Sequence, residues 1–354
     1  MMTKEKTEVL IVGYGLAGSL LAHRLEEAGM DFRVVSDSTQ PGASEVAGGL
    51  INPLMFRKLR GARGVAEVWP LLNEAYGRLE ALYRLQFLHW KDSVKLLNEQ
   101  ELLEWERGRS KDFGVFLGGT ERGAAWRGLR SAAGWGRYSG SGYLDVAPWL
   151  EVSGARLRSK NWLIDAKVEP QDLSRKNNNW LWKGGHLKAR KIVFCEGAAV
   201  RSNPWLQGVP WTPNKGELLE FVAPGLAEDF IWRDELFVLP LGENRFRAGA
   251  TYKRETLDAV PSVTGRQWLE ERLRTMLTVG FEVVEHRAGV RPAVRDRMPV
   301  VGALPGQEEV YVLNGMGSKG VFWAPYCADL LVRSWNKGEI CIPKSMQVQR
   351  FFRG

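Results

Sequence analysis

The stretch that most constrains the fold lies near the start of the chain: VLIVGYGLAGSLLAHRLEEAGMDFRVVSD. Apolar residues Val9 to Val12 run straight into Gly13-Tyr14-Gly15-Leu16-Ala17-Gly18. Residues 16–28 then read as a helix ended by Gly29, and residues 32–36 as a second strand. Strand, spaced glycines, helix and second strand make a βαβ unit suited to a dinucleotide. Gly13 permits the tight turn, Gly15 lets the backbone approach a pyrophosphate, and Gly18 lets helix and strand pack closely. The helix N-terminus, with Leu16 and Ala17, offers free N–H groups to phosphate. An acid at the end of the second strand is expected to meet the ribose hydroxyls. Either Ser36 or Asp37 fills that place; the alternative is that Asp37 only caps a turn.

A length of 354 residues suggests two domains. Cys195, Cys327 and Cys341 are scattered, which fits a reducing, cytoplasmic setting rather than a disulfide framework. Four histidines lie far apart without ligand spacing, so no metal site is expected. No apolar run reaches transmembrane length, and no integral membrane segment is expected. The net charge of +8 leaves anionic partners open, with a moderately basic enzyme as the plainer reading.

Further along, residues 66–88 have the spacing of an amphipathic helix, and residues 94–107 suggest another helix or two. YLDVAPWL, WLIDAKVEP, NNWLWKGG and ELLEFVAP read as short strands, and a hairpin is predicted across Gly242-Glu243-Asn244. The end returns to strand, glycine loop and helix in VYVLNGMGSKGVFWAPYCADLLVRSW. The predicted fold class is therefore α/β, α+β overall. A discontinuous Rossmann-like domain (1–75, 140–215 and 286–354) is expected beside a β-rich domain with inserted helices (76–139 and 216–285).

Three further stretches accompany the first glycine loop. Gly42-Ala43-Ser44-Glu45-Val46-Ala47-Gly48-Gly49 offers a second small-residue loop with a free Ser44 hydroxyl. KIVFCEGA ends a strand at Gly197, and Gly315-Met316-Gly317-Ser318-Lys319-Gly320 opens the last helix at Val321. With PNKGELLEF (Pro213, Lys215, Gly216, Glu217), FVLPLGENRFRAGATYK and AGVRPAVRDRMPVVGALP, the ordered set resembles the FAD-dependent D-amino acid oxidase and glycine oxidase superfamily. The resemblance covers most of the chain.

It implies noncovalent FAD contacted by Gly13, Gly15, Leu16, Ala17, Gly18, Ser36 or Asp37, Ser44, Ala47, Gly48, Gly49, Val168, Gly197, Gly315, Gly317, Ser318, Lys319, Gly320 and Val321. It also implies oxidation of a C–N bond by hydride transfer to flavin, with oxygen or a quinone as the final acceptor. Arg291 falls on the family's carboxylate-binding arginine; otherwise it pairs with Asp296 or a backbone carbonyl. Tyr252, as an aromatic wall, and Lys319 complete the candidate catalytic set. Phe237 stands where small-substrate members carry a tyrosine, and Ser318-Lys319 replaces an arginine-containing pair. These departures disfavour glycine or D-alanine as substrate. The same stretches resemble the oxidase domain of the bifunctional enzyme that modifies wobble uridine in tRNA. A carboxylate-bearing amine or amino acid is the first expectation, tRNA the second, and a flavin-binding protein without turnover the third.

Overall fold

The structure, a computed structural model, describes residues 5–352 apart from residues 41, 56–58, 124, 185 and 308. Pro41, heading the second small-residue loop, and Gly185 lie outside the described residues. Two large sheets organise the fold, and the first gathers segments from across the chain. Glu5–Val12 lies centrally, parallel to Phe32–Ser36 on one side and Leu187–Phe194 on the other. Leu163–Asp165 extends it in parallel beyond Phe32–Ser36. Val310–Asn314 pairs in parallel with the last part of Leu187–Phe194. Near-continuous apolar runs are what a parallel sheet covered on both faces requires. Val9, Ile11, Val34 and Val193 pack under the helices Leu16–Glu27, Val146–Ser159 and Gly320–Lys337, whereas Leu10, Val12, Val35 and Ile192 belong to the opposite core.

The second sheet runs Glu282–Arg291, Asn214–Val222, Arg245–Gly249, Phe237–Gly242, Ile231–Arg233, Ser93–Leu97, Gly134–Tyr138, Leu117–Glu121. The hairpin across Gly242-Glu243-Asn244 is present. One face of this sheet is apolar. Leu219, Phe221, Trp232, Val238, Phe246 and Ala248 pack against Leu269, Leu273 and Met276 of the helix Val263–Met276. The divisions expected after residues 215 and 285 fall inside two of its strands, Asn214–Val222 and Glu282–Arg291.

Three expectations need correction. The helix predicted over 66–88 is Val65–Tyr83, and Leu88–Trp90 is a strand. The Glu80 carboxylate accepts from the Phe87 and Leu88 N–H groups, which draws the chain off the helix axis. Residues 93–97 form a strand, and the helix starts at Glu99 behind a capping box of Asn98 and Glu101. In YLDVAPWL only the start is extended. Val146–Ser159 is helical because Val146, Trp149, Leu150, Ser153 and Leu157 fall on one buried face.

Candidate functional site

The first glycine loop is shaped by close backbone approach. Gly13 has φ +104°, and a Cβ there would lie 2.6 Å from the Cys195 carbonyl oxygen. A Cβ on Gly18 would overlap the Gly13 carbonyl. The helix Leu16–Glu27 starts at Gly15 with no side-chain cap, so its first N–H groups look to other partners. The Leu16 N–H donates to Ser44 Oγ at 3.1 Å, which brings the second small-residue loop against the first. The Tyr14 N–H donates to Ser36 Oγ at 3.1 Å. Asp37 accepts from the Thr39 N–H (2.9 Å) and hydroxyl (2.6 Å), so its carboxylate is engaged in a local turn. Val168 is buried in the core behind the sheet. Ala47 packs against the core on the helix side.

The last glycine loop closes on the same place. Gly315 and Gly317 take positive φ, and the Gly317 N–H donates to the Pro292 carbonyl. A Cβ on Gly320 would touch Leu16 at 3.4 Å, and Val321 is buried behind it. The Gly197 carbonyl accepts from Asn314. Thus the turns after three parallel strands meet beside one helix start. Ser318 is exposed, while Lys319 turns inward. Its Nζ is buried and makes no hydrogen bond among the described residues. Desolvation, helped by the neighbouring Arg233 charge, lowers its pKa to about 8. Beside Gly197, burial pushes the Glu196 carboxyl up to about 7; a hydrogen bond from Asn203 opposes this, and Glu169 adds to it.

The second sheet turns its other face to these loops. A Cβ on Gly48 would lie 2.9 Å from Phe237, and one on Gly289 would lie 2.8 Å from Val46. Gly49, at φ +70°, leaves room for the Leu144 carbonyl. Residues paired across strands share a face. The register therefore puts Asn214, Gly216, Leu218, Glu220, Phe237, Leu239, Arg233, Arg245, Arg247, Gly249, Arg287, Gly289 and Arg291 together. Five arginines stand on this face with the acids Glu220, Glu282 and Glu285.

Arg291 lies flat across the strand that faces it. Any Cβ on Gly216 would overlap the guanidinium, so glycine is required there. Arg291 Nη1 donates to Asn214 Oδ1 at 2.9 Å and to the Thr251 carbonyl at 3.3 Å. Both acceptors are neutral. Asp296, the acid in the turn that follows, is engaged by Arg350 at 2.8 Å instead. Desolvation lowers the Arg291 pKa below its usual range, and Tyr252 opposes that shift. Tyr252 itself is 55% exposed, with its hydroxyl 3.4 Å from Arg254.

Sequence reasoning picked out Arg291 and Lys319 and missed Arg233, Arg245, Arg247, Arg287, Glu196 and Glu220. The i, i+2 spacing of Arg245 and Arg247 was the available signal, since it puts both side chains on one strand face.

Comparison with known proteins gives concordant results. The family described as DAO, FAD dependent oxidoreductase, matches residues 8–334. The tRNA 5-methylaminomethyl-2-thiouridine biosynthesis bifunctional protein MnmC of Marinobacter nauticus is 26% identical over 91% of the chain. The chain spans about half of that relative's length, 54%. Glycine oxidase of Pseudomonas aeruginosa is 24% identical, with 91% of the chain and 93% of the relative covered. Among solved structures, glycine oxidase from Geobacillus kaustophilus superposes with a TM-score of 0.77 at 20% identity, covering 98% of both chains. With the family match running through both sheets, the chain belongs to the DAO family of FAD-dependent oxidoreductases.

Proposed function

We propose that this protein oxidises the C–N bond of an amine or amino acid bearing a carboxylate, using noncovalently held FAD. The observation that carries the reading is Arg291. It is a desolvated cation on the face turned to the glycine loops, hydrogen-bonded to neutral acceptors. Burying such a group without a countercharge is costly, and a substrate carboxylate supplies one by two parallel hydrogen bonds.

The residues present fit the cofactor. Gly13 and Gly18 sit where a Cβ would intrude, Gly15 leads an uncapped helix N-terminus, and Ser44 closes over it. These groups would hold the pyrophosphate, and Ser36 lies at the strand end expected for the ribose. Lys319 and the N-terminus of Gly320–Lys337 would face the electron-rich end of the flavin. Burial raises the Cys195 and Cys327 thiols well above their usual range, away from the thiolate needed for covalent attachment. FAD supplies the chemistry by accepting a hydride from the substrate carbon.

The protein's own share is placement and electrostatics. Arg291 fixes the carboxylate and, through it, the carbon beside the nitrogen. The amine must bring its lone pair to the forming C=N bond. The arginine-rich face lowers the pKa of a bound ammonium, so the neutral amine is favoured. Loss of hydride and the amine proton leaves an imine, which water converts to a carbonyl compound and a free amine. The acceptor that returns the flavin to its oxidised form, oxygen or a quinone, is the reaction's second substrate.

A second reading is removal of a carboxymethyl group from a modified tRNA nucleoside. The excess of arginine on the site face favours it. The test is anaerobic bleaching of the flavin absorbance with glycine, sarcosine, longer N-substituted glycines, D-amino acids and tRNA carrying carboxymethylamino groups. Reduction by a carboxylate-bearing amine is expected. Reduction by tRNA alone would put the second reading first, and bleaching by none of them would sink both.

A further inference from the structure

We infer that Glu196 is a cofactor ligand that works as a neutral acid, donating a hydrogen bond to the diphosphate half of FAD, so that FAD enters together with a proton from solvent. The inference rests on the proposed noncovalent FAD and adds a residue and a pH dependence to its site. The proton joins the carboxyl as FAD binds, and no bond within FAD breaks.

The backbone fixes where this acid stands. The strand Leu187–Phe194 ends beside the first glycine loop, where the Cys195 N–H donates to the Val12 carbonyl at 2.7 Å. A Cβ on Gly13 would lie 3.2 Å from the Glu196 Cα, so the acid adjoins the turn that leads to the helix N-terminus. On its other side, Asn314 Nδ2 donates to the Gly197 carbonyl at 3.0 Å. Asn314 Oδ1 accepts from the Gly315 N–H at 2.8 Å, and Asn314 is buried. Glu196 is thereby held between the first glycine loop and the last, which close on the same helix start.

The side chain is held as firmly. Asn203 Nδ2 donates to Glu196 Oε2 at 2.9 Å. Asn203 is buried, and its Oδ1 accepts from the Trp205 N–H at 3.0 Å. An amide turned round would set its NH2 against that N–H, so Asn203 can only donate to Glu196. Oε2 therefore stays an acceptor in both protonation states, and a proton on this carboxyl sits on Oε1. Oε1 takes no hydrogen bond among the described residues, yet it is not sealed in the interior. It is the free corner of the carboxyl, open beside the loops.

The surroundings disfavour a carboxylate. Glu169, from the loop after Leu163–Asp165, is the charge that acts on Glu196, and it has the same sign. Lys167 of that loop is paired with Glu169 and also feels Asp37. The adjoining Cys195 thiol stays protonated, since burial and the Glu196 charge both raise it. Among the described residues no cation pairs with Glu196. Burial, helped by Glu169 and opposed by the Asn203 hydrogen bond, puts the carboxyl at about 7. Near neutral pH the proton is thus shared between bound and free forms before a ligand arrives. A diphosphate then adds negative charge. It repels a carboxylate, whereas a neutral acid offers its O–H to an anionic oxygen in a charge-assisted bond.

The test dilutes holoenzyme until FAD leaves, and the fluorescence of free flavin gives the dissociation constant across pH. Affinity should be flat below about pH 7 and fall about tenfold per unit above it, because the bound state keeps the proton. Calorimetry in buffers of different ionisation enthalpy, as the full chain is reloaded with FAD, counts that proton. Uptake should approach about one proton at about pH 8.5 and nearly vanish at about pH 5.5. Glu196→Gln keeps the shape and places an N–H where Oε1 stands. Its profile should be flat, and at about pH 8.5 it should bind FAD at least about tenfold tighter than the wild type. Lys319, at about 8, titrates in the same range. The count is therefore repeated with ADP, which lacks the flavin, and with FAD on Lys319→Met; uptake should persist in both. Affinity that rises with pH, with proton release, would make Glu196 a carboxylate acceptor for ribose hydroxyls and overturn the inference. So would a pH profile that Glu196→Gln leaves unchanged, or wild-type protein that binds ADP at about pH 8.5 without taking up a proton. A flat wild-type FAD profile ends the inference and leaves the FAD reading standing. Wild-type protein that holds no flavin and binds none ends both.

Discussion

The two halves of the site are built on opposite principles. At the glycine loops, backbone does the work, and side chains are removed so that strands, helix ends and a ligand can approach. Gly13, Gly18 and Gly49 each stand where a Cβ would collide with a carbonyl. On the second sheet long side chains do the work. Five arginines share the face turned to those loops, and a glycine appears where one of them needs room, at Gly216 beneath Arg291. The first half suits the constant anionic part of a cofactor. The second suits a particular substrate, because side-chain length, charge and register can each be varied without moving the backbone.

The largest expected effect strikes the backbone half. Gly18→Val would drive side-chain carbon into the Gly13 carbonyl and open the loop. Purified protein should be colourless, with FAD affinity down by more than about a hundredfold for a lost set of charge-assisted contacts. Fluorescence titration with FAD measures it. Near-normal affinity would break the comparison, since side chains elsewhere would then be holding the cofactor.

The next effect belongs to the other half. Arg291→Ala should leave FAD bound and cut flavin reduction at subsaturating substrate by about a hundredfold or more, from a loss on the order of 2–5 kcal/mol. Arg291→Lys should recover part of it, because the ammonium keeps the charge and loses the planar fork. Gly216→Ala sharpens the test without touching the arginine. The added methyl overlaps the guanidinium, so reduction should fall by about tenfold or more while the charge remains. An amine lacking the carboxylate should be almost indifferent to all three changes. Equal losses for both substrates, read by stopped flow, would make Arg291 a support of the fold instead of an anchor.

These two halves were not equally legible in the sequence. Gly13, Gly15 and Gly18 announce themselves because their spacing is local and each has a job fixed by the adjoining strand and helix. The return of the last strand, glycine loop and helix was readable for the same reason. Arg291 was reached through its surrounding motif. Arg233, Arg245, Arg247 and Arg287 were not, because their common face depends on pairing among strands separated by tens of residues. Helix limits failed where a side chain captured backbone, as Glu80 does at Phe87 and Leu88. Asp37 shows a different limit: the acid stands where a ribose ligand is expected, but its neighbour Thr39 engages it.

Lys319 connects the halves, since it rises from the last glycine loop towards Arg233 of the second sheet. Its folded pKa, about 8, lies below the 10.5 of an ordinary lysine because burial disfavours the charge. The folded state therefore resists protonation. The resulting destabilisation is fully present below about pH 8 and is relieved as pH rises towards the unfolded value. Lys319→Met should raise the melting temperature of the flavin-free protein more at pH 6.5 than at pH 10, test conditions set at about these values on either side of that window. Loading FAD should narrow the gap at the lower pH if the ammonium gains an anionic neighbour. A gap independent of pH would mean that Lys319 is solvated and outside the site.

Tyr252 should show the smallest effect, and for that reason it defines how far the side-chain half extends. Its ring is 55% exposed, and its hydroxyl has a single long contact, 3.4 Å to Arg254. It follows Thr251, whose carbonyl accepts from Arg291, which keeps it beside the anchor. Tyr252→Phe keeps the ring and removes a solvated hydroxyl, so flavin reduction should change by less than about twofold, the equivalent of roughly 0.4 kcal/mol. Tyr252→Ala also removes the wall and should weaken binding of a carboxylate-bearing amine further, by about tenfold at most. The comparison to make is the KM-against-kcat split. A rim wall affects ground-state binding and transition state alike, so KM rises and kcat stays. If Tyr252→Phe instead lowers kcat as far as Arg291→Ala does, the hydroxyl touches the reacting group. The catalytic face would then extend past the end of the strand Arg245–Gly249, where Tyr252 stands.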